Sequence, residues 1–138
     1  MVLYVEYEKT EEGFTGSLNL CGDVSGLTRF ADTLTDFGKL PAVIVLNRER
    51  NPSPYDRLLK EISIAPKLNA KVYVGQMGER MVISGSLEYL SILAENIRHL
   101  AEHPISSSAV PYHIHIEYYP DHFYLEKEST PLVASCSS

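Results

Sequence analysis

The chain has 138 residues, of which 44% are hydrophobic and 22% are charged, a composition typical of a folded domain rather than a disordered segment. Its 12 basic and 18 acidic residues give a net charge of −6, whereas nucleic-acid binders carry a basic face. No signal-peptide pattern opens the chain, and no apolar run approaches the roughly 20 residues of a membrane span. These features predict one cytoplasmic domain, with neither nucleic acid nor a membrane as its partner.

The first strands and the first helix are predicted from periodicity. Alternation over Val2–Glu8 predicts a strand, and the turn signal Glu11–Gly13 before a second strand, Phe14–Cys21, predicts a hairpin. A helix follows, which Asp23 or Ser25 would cap and which Gly38 would end in a left-handed conformation. One face of this helix is a stripe of apolar residues: Leu27, Phe30, Ala31 and Leu34. The helix is therefore expected to pack on a sheet through that stripe.

A third strand and a second hairpin complete the middle of the chain. The run Pro41–Leu46 is almost wholly apolar, which predicts a strand covered on both faces. A polar loop over Asn47–Arg57 is expected to lead through Leu58–Glu61 into Ile62–Ala65, and Lys71–Gln76 with Arg80–Ser84 predicts a hairpin. The chain thus enters its second half with the same hairpin pattern that begins its first half.

The second half continues with a helix and strands. Ser86 is a suitable cap for the helix, whose apolar stripe is Leu87, Leu90, Leu93, Ala94, Ile97, Leu100 and Ala101. Tyr112–Tyr119 predicts a strand, Pro120 and Asp121 a turn, and Phe123–Glu126 a short strand. Pro131–Ala134 is expected to be an edge strand, followed by a frayed tail.

The two halves match at an offset of 63 residues without a gap. Gly22 aligns with Gly85, and Leu27 aligns with Leu90. The shared order predicts two β-β-α-β units, covering about 1–67 and 68–138 of a single domain. The expected fold is α+β, with two helices packed on a mostly antiparallel sheet.

The predicted strand that contains His113, His115 and Glu117 is the main candidate for a functional site. These three side chains project from one face of the strand. Imidazole and carboxylate groups in this spacing suit a metal ion, with His122 as a fourth ligand after the turn. The simpler interpretation is the solvent-facing side of a half-buried strand, used for binding if it has a function. His99 and His103 form a weaker pair, which placement near a helix C-terminus explains.

Tyrosines crowd the region after this strand. Tyr112, Tyr118, Tyr119 and Tyr124 are compatible with a core or with an aromatic interaction surface. The cysteines, Cys21 and Cys136, are too few for a disulfide framework. Two free thiols are expected, and a disulfide between them is left open.

The second half resembles immunity protein family thirty-two, small α+β proteins encoded beside bacterial polymorphic toxins. The resemblance lies in Ile83–Leu87, the following helix, the His113–Ile116 strand and the closing Ser129–Val133. It implies a binding protein that neutralises its toxin and is not an enzyme. His113 and His115 match positions of the family pattern.

The sequence as a whole therefore predicts a non-catalytic immunity protein that needs no cofactor and binds a protein partner. The acidity favours a basic toxin domain, because opposite charges accelerate encounter. The expected binding residues are His113, His115, Glu117, Tyr119 and His122. The alternative is a metal-dependent enzyme or metal-binding module that uses the three histidines and Glu117.

Overall fold

The computed structural model describes residues 1–8, 16–47, 57–102 and 113–137. Within these ranges the helices are α1 (Val24–Thr35) and α2 (Leu87–Glu102). The strands are β1 (Leu3–Glu8), β2 (Ser17–Gly22), β3 (Ala42–Val45), β4 (Arg57–Leu58), β5 (Glu61–Pro66), β6 (Tyr73–Met77), β7 (Arg80–Gly85), β8 (His113–Ile116) and β9 (Leu132–Cys136). Neither of these helices is long and apolar enough to cross a membrane.

The strands form two sheets. The five-stranded sheet has the order β4-β1-β2-β9-β8, and the four-stranded sheet has the order β3-β5-β7-β6. Each contains one parallel pair, β2 with β9 and β5 with β7, and its other pairs are antiparallel. The predicted α+β fold with two helices is confirmed. The strands divide between two sheets because each hairpin pairs in parallel with a strand from the other half of the chain.

Equivalent connections build the two sheets. Residues 17–22 of β2 and 80–85 of β7 are related by the 63-residue offset, and each strand leads into a helix. The β1-β2 hairpin is completed by β9 and β8, and the β6-β7 hairpin by β5 and β3. This correspondence agrees with a duplicated unit. The duplication and its boundary near residue 67 stay predictions.

One apolar cluster joins both helices to both sheets. The predicted stripe of α1 is wholly buried, and Leu90, Leu93, Ile97 and Leu100 of α2 are inaccessible to solvent. These side chains meet the inner residues of the sheets, such as Leu20 and Ile83. Leu87 is the exception, because in the first turn of α2 its side chain remains 42% exposed.

The starts and ends of the helices differ from expectation at two positions. The Asp23 carboxylate caps α1 by accepting a hydrogen bond from the Gly26 N–H at 2.8 Å, as predicted. The cap predicted for Ser86 is wrong, because its buried hydroxyl has no partner in the described part of the chain. Gly38 also fails as a left-handed stop: the Asp36 N–H bonds to Thr33 and the helix tightens into a 3-10 turn over Phe37–Lys39.

Two strand predictions are wrong, one about coverage and one about position in the sheet. Strand β3 is covered on one face only: Ile44 is buried, whereas Val43 and Val45 on the opposite face are 54% and 75% exposed. Strand β9 is not an edge: it lies between β2 and β8, and the Ser137 N–H after it still bonds to Gly22. The short strand predicted at Phe123–Glu126 is reduced to a single bridge, between Leu125 and Val72.

The two cysteines are free and lie on opposite faces of neighbouring strands. Cys21 pairs with Ser135 in the sheet register, and Cys136 pairs with Gly22. The Cys136 side chain joins the core, whereas Cys21 points to the other face. Because successive side chains of a strand alternate, this placement excludes the disulfide that the sequence left open.

Candidate functional site

His113 and His115 lie on the exposed face of β8, an outer strand of the five-stranded sheet, and Glu117 directly follows this strand. Both histidines are exposed, whereas Ile116, whose side chain projects from the opposite face of the strand, is buried. This is the alternation that a strand predicts. The two imidazole rings are 5.2 Å apart and nearly perpendicular. His115 Nδ1 lies 3.4 Å from the Glu117 carboxylate. Three polar side chains thus stand together on a water-facing edge.

The same face continues behind the histidines as a band of small polar groups. In the sheet register His113 is opposite Ser135, which is beside Cys21 on the next strand. The Cys21 sulfur and the Ser135 hydroxyl are 3.3 Å apart. This band connects the exposed edge to the centre of the sheet on the side away from the core.

A buried carboxylate lies at the far end of this band. Glu6 on β1 is only 3% exposed. Its Oε1 accepts a hydrogen bond from Asn19 Nδ2 at 3.2 Å and lies 4.0 Å from the Cys21 sulfur. The sequence did not predict that Glu6, Asn19 and Cys21 lie on the same face of the sheet as the histidines. The alternation of polar and apolar residues along each strand indicated that these polar side chains share one face of their strand. The order of the strands, which places these side chains in one band, depends on pairing between distant parts of the chain.

His122 is placed differently from the strand histidines. It is 5% exposed, and its Nδ1 accepts hydrogen bonds from the backbone N–H groups of Tyr124 (3.3 Å) and Leu125 (3.0 Å). Burial, with a smaller contribution from the positive charge of Lys71, lowers the pKa of His122. The neutral imidazole therefore holds the turn together, because only an unprotonated Nδ1 can accept these bonds.

Aromatic rings surround His122. The Tyr119 ring lies 4.5 Å from the imidazole, and the Phe123 ring stacks on it at 5.7 Å, centre to centre. Tyr124 is buried; its hydroxyl accepts a hydrogen bond from Asn96 on α2, and burial raises its pKa. Tyr119 and Phe123 are 56% and 59% exposed. Of the tyrosines in the sequence prediction, Tyr112 lies outside the described residues.

The four proposed metal ligands do not form a metal site. Within residues 1–8, 16–47, 57–102 and 113–137, no three His, Cys, Asp or Glu side chains are grouped as a metal site requires. His122 uses its Nδ1 for backbone hydrogen bonds instead of joining His113 and His115. His103, the partner suggested for His99, lies outside the described residues.

One protein-family model matches the second half of the chain. Residues 80–137 match the model of the family Immunity protein 32. No curated protein and no solved structure matches the chain. The match confirms the resemblance of the second half to Immunity protein 32. The matched segment runs from β7 to β9, so it contains both the histidine strand and the aromatic cluster around His122.

Proposed function

We propose that this chain is an immunity protein that neutralises a co-encoded bacterial toxin by binding it in the cytoplasm. The observation that carries the proposal is the match to Immunity protein 32 over residues 80–137. The protein acts by occupying the toxin surface, without catalysis and without a cofactor.

The proposed contact surface is formed by β8 and the turn that follows it. His113, His115 and Glu117 offer exposed hydrogen-bonding groups, and Tyr119 offers an exposed aromatic ring. His122 acts from beneath, where it holds the turn in place. Aromatic groups beside polar ones are typical of residues that dominate binding energy. A toxin domain with a basic surface fits the net charge of −6.

The decisive experiment is growth protection. The toxin domain encoded beside this chain is expressed from an inducible promoter in a bacterial host, with and without this protein. Protection and a stable complex in gel filtration are expected for the wild-type chain. The double variant His113→Ala, His115→Ala is expected to remain folded, because both side chains are exposed, and to bind the toxin about tenfold or more weakly.

The matched control lies on an outer strand of the other sheet. Val43→Ala with Val45→Ala also shortens two exposed side chains, but on β3 of the four-stranded sheet. This variant is expected to protect fully. Failure of the wild-type chain to protect or to form a complex would refute the immunity function. Stoichiometric metal that is lost in the histidine variant would instead support the metal-binding alternative.

A further inference from the structure

The turn after β8 presents two large aromatic side chains to water. Tyr119 and Phe123 are each more than half exposed, and both rings lie against the buried imidazole of His122. We refer to residues Tyr119–Phe123 as the anchor loop. Exposed aromatic rings provide a large contact area, and interfaces commonly use them as the residues that dominate binding.

The anchor loop is held by hydrogen bonds on both sides of its apex. The His122 N–H donates to the Tyr119 carbonyl at 3.0 Å, which closes a turn with Asp121 at φ 66°. Lys71 Nζ donates to the His122 carbonyl at 2.6 Å. Next to the loop, the Val72 N–H donates to the Tyr124 carbonyl at 2.7 Å. A loop fixed in this way loses little conformational entropy when a partner binds.

The segment that carries these two rings is acidic. Glu117 and Asp121 are exposed beside Tyr119. Residues 117–128 contain four carboxylates and one lysine, so this segment holds −3 of the total net charge of −6. Lys71, whose ammonium donates to the His122 carbonyl, brings one positive charge beside the loop, which leaves an excess of about two negative charges there. The loop therefore combines aromatic faces with carboxylates, and both groups attract cations.

We propose that the anchor loop is the docking site for an arginine-bearing surface of the partner protein. A guanidinium group stacks on aromatic rings and pairs with carboxylates through the same planar group, whereas an ammonium group lacks the stacking. Phe123 and Asp121 thereby join Tyr119 as recognition residues. The inference rests on the proposed immunity function for the identity of the partner, but its chemistry is testable without the toxin.

The test uses short peptides as probes. Binding of hexa-arginine, hexalysine and hexaglutamate to the full chain is followed by isothermal titration and by backbone amide chemical shifts. Hexa-arginine is expected to bind several-fold more tightly than hexalysine, with the largest shifts at residues 117–123, and hexaglutamate is not expected to bind. Tyr119→Ser with Phe123→Ser should weaken hexa-arginine binding about tenfold, and Asp121→Asn about threefold.

Matched variants separate the loop from general acidity. Asn tolerates the left-handed conformation of residue 121, so Asp121→Asn removes charge and keeps the turn. Val43→Ser with Val45→Ser removes exposed apolar groups on β3 and should leave peptide binding unchanged. No binding by the wild type would overturn the proposal. Equal binding of hexa-arginine and hexalysine, or unchanged binding by the folded aromatic variant, would do so as well.

The toxin assay separates this proposal from the proposed function. Full growth protection by the Tyr119→Ser, Phe123→Ser variant would refute the docking role of the anchor loop but would not contradict the immunity function. Loop-dependent binding of hexa-arginine by a wild-type chain that fails to protect would refute the immunity function alone. Loss of protection in this variant, with an unchanged melting temperature, supports both.

Discussion

Asp23 and Ser86 each lie directly before a helix, 63 residues apart, but only the Asp23 side chain caps its helix. The Asp23 carboxylate accepts hydrogen bonds from the Gly26 N–H at 2.8 Å and the Val2 N–H at 3.0 Å. The Ser86 hydroxyl is buried and finds no partner among the described residues. The N–H groups that bond to Asp23, that of Val2 first, lower the pKa of its carboxyl.

Removing these two side chains is expected to have unequal effects on stability. Asp23→Ala loses the cap of α1 and should lower the free energy of unfolding by about 1–2 kcal/mol. Ser86→Ala should leave it within about 0.5 kcal/mol or raise it, because a buried hydroxyl without a partner is unfavourable. Urea denaturation measures both. A larger loss in Ser86→Ala than in Asp23→Ala would show that the hydroxyl caps α2 in solution.

Two leucines of α2 provide a comparison of burial. Leu90 is fully buried, whereas Leu87 is 42% exposed one turn earlier. Leu90→Ala should reduce the free energy of unfolding by about 2–5 kcal/mol, and Leu87→Ala by less than about 0.5 kcal/mol. Similar losses in the two variants would mean that the helix is rotated relative to the sheets.

The pH dependence of stability is expected to depend on His122. Its folded-state pKa lies below the ordinary value, because burial and then Lys71 disfavour the charged form. The unfolded chain therefore binds the proton more readily than the folded chain. The contribution of neutral His122 to the free energy of unfolding is fully present above about pH 6.5 and decreases as the pH falls below that value.

Asparagine at position 122 is the matched variant for this dependence. Its amide oxygen can accept a backbone hydrogen bond as Nδ1 does, but it has no proton to gain. Melting temperatures measured from pH 7.5 to 5 should fall less steeply for His122→Asn than for the wild type. Identical slopes would assign the acid sensitivity to other groups.

The cysteines are expected to behave as two separate thiols. Cys136 is 1% exposed and burial raises the pKa of its thiol, so it should react with iodoacetamide only after unfolding. Protein prepared without reductant should take up two alkyl groups in denaturant, as measured by intact mass. A species that accepts none until it is reduced would contradict the opposite-face placement of Cys21 and Cys136.

Local patterns predicted the elements that depend on their own residues. The apolar stripe of α1 needs only the helical period, and it is buried as expected. The alternation of His113 and Ile116 likewise reports which side chain faces the core. Asp23 precedes its helix with the side chain that a cap requires.

Position within a sheet could not be predicted in the same way. The apolar run around Val43 indicates burial, but only the face of β3 that carries Ile44 packs on the core, so two valines remain exposed. The location of Leu132 inside the sheet, between β2 and β8, depends on pairing with Leu18, far away in the chain. The structural role of His122 depends on N–H groups that the turn directs at its ring.

The parallel pairing of β2 with β9 has a consequence for synthesis of the protein. Cys21 and Ser135 are neighbours across these strands, although 114 residues separate them along the chain. Contacts of such high sequence separation form slowly, because a long loop must close first. While the ribosome makes the chain, the β1-β2 hairpin keeps one strand edge without its final partner until β9 emerges. A chaperone that shields this edge would therefore raise the yield of folded protein, and truncation after Ser129 would leave β8 with no strand to pair with.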